Sequence, residues 1–420
     1  MIGSHNCSDS VNRRQVLKAA GAGTLGTTLA GCLGSVAGDS DAITVGGLYP
    51  LSGPYGGPGG KMQQGVEAAI ELARENNDAG DRDIEFTDAD SKAEPSTGRQ
   101  RAQEMINDGA DIIIGTYSAS VEKSVVELAN RNEVLTATFG VSPNTFQEGC
   151  SLYHFSPASP IWKQDHAVLG HALREGLGNS VYTIAANYSW GQTHREYVEN
   201  VVVPKYDGEY LGNTFTELGQ GDFSQAITDA RDAGADIIYS PTAGGDMVKL
   251  ANQAGSFDMF QDHVMMWPVG GLTVAQQIDP SVITNDNFYT GLGWYWKLDT
   301  PATGTYVESY QSKTDGEVPS WPSAILYGAL RTLLSSVKEV GSVDTSEIAI
   351  ATEDKRITPQ LWDRDEYFRK CNHANLFPYY LARGKSNPEG EDVYEIVQTI
   401  DNYDEVYRTC EETGCSVDRG

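Results

Sequence analysis

Along this chain, short apolar runs alternate with stretches of helical periodicity. Ile112-Ile113-Ile114 has no polar alternation, as expected of a strand buried on both faces of a parallel sheet. Gly115 ends the run, and a hydroxyl-rich turn leads into a helical pattern from Val121. That order places backbone N–H groups and serine hydroxyls at the carboxyl edge of a sheet, where a small anionic or amide group can sit. The phrase Gly-Ala-Asp-Ile-Ile occurs at Gly109 and again at Gly234, each time after an amphipathic helical pattern (Arg99 to Asn107, Phe223 to Asp232). A repeated strand-helix unit predicts two similar α/β lobes.

The rest of the pattern fits this plan. Ile43–Leu48, Ile84–Thr87, Ile112–Ile114 and Val134–Thr138 read as strands of the first lobe. Tyr49–Gly60 reads as a Gly/Pro-rich loop, followed by a helix that buries Met62, Val66, Ala69, Ile70 and Ala73. Val181–Ala186, Glu209–Phe215, Ala235–Tyr239 and His263–Trp267 read as strands of the second lobe. Phe288 to Trp296 is a tandem of aromatics and glycines. The helical patterns Tyr306–Ser312 and Ser323–Val337 lack strand partners and return to the first lobe. The tail from Asn375 reads as a late hairpin closing the second. The expected organisation is therefore 43–154 with 297–372 as lobe one, and 155–296 with 373–420 as lobe two. Three chain crossings would form a hinge that permits closure and restricts twist.

Composition changes the picture at the N-terminus and on the surface. Asn12–Lys18 carries a twin-arginine motif, a weakly apolar stretch follows, and Leu29-Ala30-Gly31-Cys32 has the pattern of a lipobox. Residues 1–31 are expected to be an export signal, Cys32 a lipidation site at the outer face of the cytoplasmic membrane, and 32–42 a tether. The formal charge of -28, from 58 acidic and 30 basic residues, is spread along the chain. It argues against nucleic acid or anionic membrane as partner. It suits a halophilic protein, because molar salt screens charges over about 3 Å. Cys150, Cys371, Cys410 and Cys415 permit two disulfides in three connectivities, and no spacing suggests zinc.

Catalytic chemistry finds little support. The seven histidines are scattered, and neither His-Glu-x-x-His nor Gly-x-Ser-x-Gly occurs. Cys371 and His373 offer a possible dyad, with a disulfide or structural role the simpler reading. No catalytic residue, metal or cofactor is expected, and a hydrolase or a ligand sensor for a separate receptor stand as the alternatives.

The order of several motifs adds a resemblance. Leu51–Gly56, Gly65 with Ala68-Ala69, Asp88–Asp90, Gly109–Ser120, Tyr188–Gly191, Pro319 with Tyr327–Ala329, and Arg369–His373 resemble the solute-binding proteins of branched-chain amino acid and amide ABC importers. The resemblance implies an α/β type I periplasmic-binding-protein fold of two Rossmann-like lobes. It also implies a monomer that delivers a small-molecule solute to ABC permease and ATPase subunits. The implied ligand contacts are Ser118, Ala119, Ser120, Phe139, Gly140 and Val141 on one lobe. Trp190, Gly244, Asp246 and Trp267 would face them, with Tyr55 and Tyr117 at the entrance. Ser118 and Ser120 have a second role open to them as helix N-caps, and both tryptophans as core. Val269 stands where amino-acid binders of that family place an acidic residue, so either Asp246 substitutes or the ligand lacks an ammonium. Urea, a short amide, and an aliphatic or aromatic carboxylate stay open.

Overall fold

The computed structural model describes residues 42–139, 150–364, 366–417 and 419. The signal, Cys32, Gly140 and Val141 lie outside them. The described residues build two main sheets. β1 (Ile43–Tyr49), β2 (Ile84–Asp90), β3 (Ile112–Gly115), β4 (Leu135–Thr138) and β5 (His154–Phe155) form the first, in the order β2-β1-β3-β4-β5. β6 (Ser180–Ala186), β7 (Glu209–Thr216), β8 (Ile237–Tyr239), β9 (Val264–Trp267) and β10 (Phe288–Leu292) repeat that order in the second sheet, from β7 to β10. The second sheet is then extended by β13 (Tyr379–Glu389) and β14 (Asp392–Ile400). Both sheets thus have the 2-1-3-4-5 winding that leaves a crevice at the carboxyl ends of strands one and three.

The repeated phrase occupies the same place in each sheet. β3 pairs with β1, and β8 pairs with β6, both in parallel. Asp111 Oδ2 accepts from the Thr44 backbone N–H at 2.9 Å, at the start of β1. Asp236 Oδ2 accepts from the backbone N–H groups of Asn179 and Ser180, both at 2.9 Å, at the start of β6. One carboxylate therefore braces the neighbouring strand in each half, which gives the Gly-Ala-Asp phrase a structural reason.

Four readings of the sequence need correction. The helix Gly56–Glu75 begins inside the supposed loop Tyr49–Gly60. Pro58 is tolerated in a first turn, and an added Cβ at Gly59 would lie 2.0 Å from the Pro50 carbonyl oxygen. Phe288–Leu292, hidden among aromatics and glycines, is a buried strand parallel to β9. Asn375-Leu376 is not part of the late hairpin. It forms β12 and pairs with Tyr367-Phe368, β11, in a small separate sheet. Phe155 pairs within the first sheet, so the first crossing follows it.

The chain passes from the first sheet to the second after Phe155, returns after Leu292, and crosses again before Tyr379. The returning helices Pro301–Lys313 and Trp321–Val340 pack on Gly56–Glu75. Tyr310 donates to Gln64 Oε1 at 2.6 Å, and Arg331 pairs with Asp78 at 2.6 Å. Four cysteines adopt one of the three connectivities, Cys150–Cys415 and Cys371–Cys410, with Cα separations of 5.8 and 5.9 Å. The Cys371 thiol is therefore spent on a disulfide, which removes the Cys–His dyad. His373 instead faces Glu353 at 3.1 Å.

One buried histidine predicts an acid sensitivity. His154 in β5 meets Thr136 Oγ1 at 3.0 Å through Nδ1. Burial, with His373 nearby, lowers its pKa from 6.5 to about 3, so the imidazole is neutral although its Nε2 is 3.7 Å from Glu122 Oε1. A value lower in the fold than in the unfolded chain adds stability above pH 6.5 and loses it as the pH falls toward 3. At about pH 4.5 the loss is roughly 2–3 kcal/mol, taking ~1.4 kcal/mol per pH unit. Urea unfolding at pH 7 and about 4.5 should show His154→Gln losing less than the parent; equal losses would refute the assignment.

Candidate functional site

A cavity with about 720 Å³ of atom-free space, its mouth included, lies at the carboxyl ends of both sheets. From the first half come Pro58, Tyr117, Ala119, Phe139 and the trio Ser320-Trp321-Pro322. The second half supplies Gln164, Tyr188, Trp190, Ala243, Gly244, Met247 and the run Val269-Gly270-Gly271, with Thr273 and Val274. None of these side chains carries a formal charge.

Local chain geometry explains the first wall. Gly115 at the end of β3 has φ +123, and a Cβ there would lie 2.4 Å from the Leu48 carbonyl oxygen. Only glycine lets β3 turn so tightly against β1. The turn delivers Ser118 to the N-cap position of the helix Ala119–Arg131, and Ala119 to the cavity. Ser118 makes no side-chain cap; its Oγ lies 3.2 Å from Ser120 Oγ.

Aromatic rings line both sides of the cavity. Tyr55, Tyr117, Phe139 and Trp321 form an arc with successive centroids 5.0, 5.3 and 4.8 Å apart. Tyr188 and Trp190, 6.2 Å apart and stacked, belong to the opposite half. Two bonds join the halves beside the cavity. Tyr55 Oη donates to Tyr188 Oη at 3.2 Å, and Trp321 Nε1 donates to the Gly270 carbonyl at 2.7 Å. Burial pushes the Tyr55 phenol up to about 12, with the Tyr188 contact opposing and nearby Asp246 adding to the shift. Both phenols therefore stay neutral at ordinary pH.

Behind Trp190 lies a buried polar cluster. The His194 ring stands edge-on to the indole with centroids 4.4 Å apart. Its Nδ1 is 2.6 Å from Asp165 Oδ1, which also accepts from Tyr239 Oη at 2.6 Å. Burial raises the Asp165 carboxyl, against the pull of His194 and the Tyr239 bond. This cluster orients the Trp190 wall from behind.

Of the residues expected from the sequence, Tyr117, Ala119, Phe139, Trp190 and Gly244 line the cavity. Ser118, Ser120, Tyr55, Asp246 and Trp267 do not. Tyr55 is buried between Tyr117 and Tyr188 rather than placed at an entrance. Asp246 is in the first turn of Gly245–Ser256, with its Oδ2 taken by the Gly219 backbone N–H at 2.8 Å. Trp267 is core: its ring stacks on Phe288 at 5.0 Å and its N–H donates to Thr242. Sequence reasoning missed Gln164 and the Ser320–Pro322 trio. A proline just inside a helix start was the available signal for the latter. Among the described residues, no cluster of His, Cys, Asp or Glu is arranged for a metal ion, and no helix is long and apolar enough to cross a membrane.

Two wound α/β halves joined by three crossings, with one uncharged cavity at their facing edges, define a bilobal solute-binding architecture. The family model described as Periplasmic binding protein matches residues 42–390, and the chain belongs to that family. It is similar to a Leu/Ile/Val-binding protein homolog 4 of Brucella melitensis, 25% identical over 385 residues, covering 87% of this chain and 88% of the relative. In structure it resembles an amino acid ABC transporter substrate-binding protein from Pseudomonas fluorescens, with a TM-score of 0.81 and 22% identity over 89% of this chain and 99% of that one. A solute-binding protein from R. palustris solved in complex with 4-hydroxybenzoate aligns with a TM-score of 0.75 and 18% identity, covering 86% and 97%.

Proposed function

We propose that this protein binds a small carboxylate with an apolar, ring-sized body in the interlobe cavity and delivers it to an ABC permease, without chemical turnover. The observation that carries this reading is a cavity walled by aromatic rings and lined by no charged side chain, with Val269 on its surface. An α-ammonium buried there would lack a counter-charge, which is costly. Asp246 does not line the cavity, and Gly219 occupies one of its oxygens. A carboxylate has a better host. The helices starting at Gly56, Ala119, Ser189, Gly245 and Trp321 all bring first-turn or cap residues to the cavity, and none has a side-chain cap bond. Backbone N–H groups and helix dipoles can then hold an anion with no cationic side chain. The R. palustris protein with bound 4-hydroxybenzoate supports the ligand class.

On this reading, residues 43–155 with 297–372, and 156–296 with 373–420, close on the solute about the three crossings. Ser118 and Ser120 would support the first wall. Export by the twin-arginine signal, anchoring through Cys32, a monomeric state and adaptation to high salt complete the proposal; the acidic composition supports the last. Titration calorimetry against benzoate, leucine and urea tests the ligand. Benzoate-type acids should bind at least about tenfold tighter than leucine. Tight leucine binding unaffected by Asp246→Ala, or hydrolytic turnover of any tested solute, would overturn the reading.

A further inference from the structure

We infer that Gln164 reads a hydroxyl on the body of the solute, so that the protein selects hydroxylated aromatic carboxylates over their unsubstituted parents. The inference rests on the carboxylate reading above and goes further by naming the group recognised. Gln164 lies in the helical turn Ile161–Asp165, lines the cavity and is 1% exposed. Its Nε2 donates to the Ser159 carbonyl at 2.7 Å. A carbonyl only accepts, so this bond fixes the amide orientation: a flip would set oxygen against oxygen. What remains is Oε1, buried and without a protein partner.

A buried carbonyl oxygen left unpaired is destabilising, and sites that keep one usually have a donor to receive. Several neighbouring donors are occupied, while Ser159 Oγ and His194 Nε2, like Gln164 Oε1, have no partner. Lys163 Nζ donates to the Phe377 carbonyl and to Tyr407 Oη. His194 Nδ1 is held by Asp165. Ser320, across the cavity, has its Oγ 3.2 Å from Ser323 Oγ. None of these donors reaches Oε1, so a donor that arrives with the ligand would complete it. That donor must be neutral, because no carboxylate lines the cavity to balance an ammonium. On an aromatic acid, that donor is a phenolic hydroxyl.

Calorimetry on the intact protein can decide this with benzoate, the 3- and 4-hydroxybenzoates and the matching fluorobenzoates. Fluorine approximates the hydroxyl in size and cannot donate. At least one hydroxy isomer should bind about tenfold to a hundredfold tighter than both benzoate and its fluoro counterpart. In Gln164→Leu that preference should vanish. Equal binding of hydroxy, fluoro and parent acids would overturn the inference and leave the carboxylate reading intact. So would a hydroxyl preference that survives in Gln164→Leu. Failure of every benzoate to bind would overturn both. The comparison among ligands on the parent protein stands by itself should Gln164→Leu fail to fold.

Discussion

Trp321→Ala weakens binding of the preferred solute by about a hundredfold or more. The indole serves three purposes at one point. It forms a wall of the cavity, packs edge-on against Phe139 at 4.8 Å, and donates across to the Gly270 carbonyl at 2.7 Å. Truncating a buried tryptophan to alanine costs roughly 3–5 kcal/mol, and part of that cost here falls on the closed, ligand-holding arrangement. Each 1.4 kcal/mol lost from binding is about tenfold in affinity. Calorimetry should show the loss, and small-angle scattering should show less compaction at saturating solute than in the parent. Trp321→Phe restores the wall without the N–H donor and should recover part of the affinity. Unchanged affinity in Trp321→Ala would mean that solute binds elsewhere.

The second large effect is on stability. Cys150→Ser with Cys415→Ser removes a bridge between residues 265 apart in sequence, and Cys371→Ser with Cys410→Ser one between residues 39 apart. Bridges that close long loops stabilise chiefly by restricting the unfolded chain, typically by about 2–5 kcal/mol. The C-terminal segment is held by more than sulfur. Tyr407 Oη donates to the Asn375 carbonyl at 2.8 Å, and Arg419 pairs with Glu353 at 2.8 Å. Each double variant should unfold at lower denaturant concentration, with the longer loop giving the larger shift. Coincident unfolding curves for the parent with and without reductant would refute this.

The fold was legible because its signals are local. An apolar run such as Ile112–Ile114 marks a doubly buried strand, and the second Gly-Ala-Asp phrase marks its twin at Ile237–Tyr239. The aspartates of both phrases brace a neighbouring strand, so the repeat carried structural information that periodicity alone would not. The site was legible only in part, because its walls meet across large sequence distances. Tyr117 and Trp190 flank readable turns, and both reach the cavity. Trp321 arrives there only because the chain returns to the first sheet after Leu292. Trp190 and Trp267 were both expected at the ligand. One faces the cavity and the other stacks on Phe288, a difference set by the strand β10 that the aromatic-glycine tandem concealed. Disulfide pairing was unreadable for the same reason: it depends on which Cα atoms the fold brings within bridging distance.

The twofold winding order has an evolutionary corollary. Every wall of the cavity is a turn or helix start, while the strands that hold those turns take their stability from buried apolar neighbours. Descendants of such a molecule can therefore exchange one turn for another and acquire a new nutrient preference, with the load-carrying sheets untouched. Diversification proceeds at the rims.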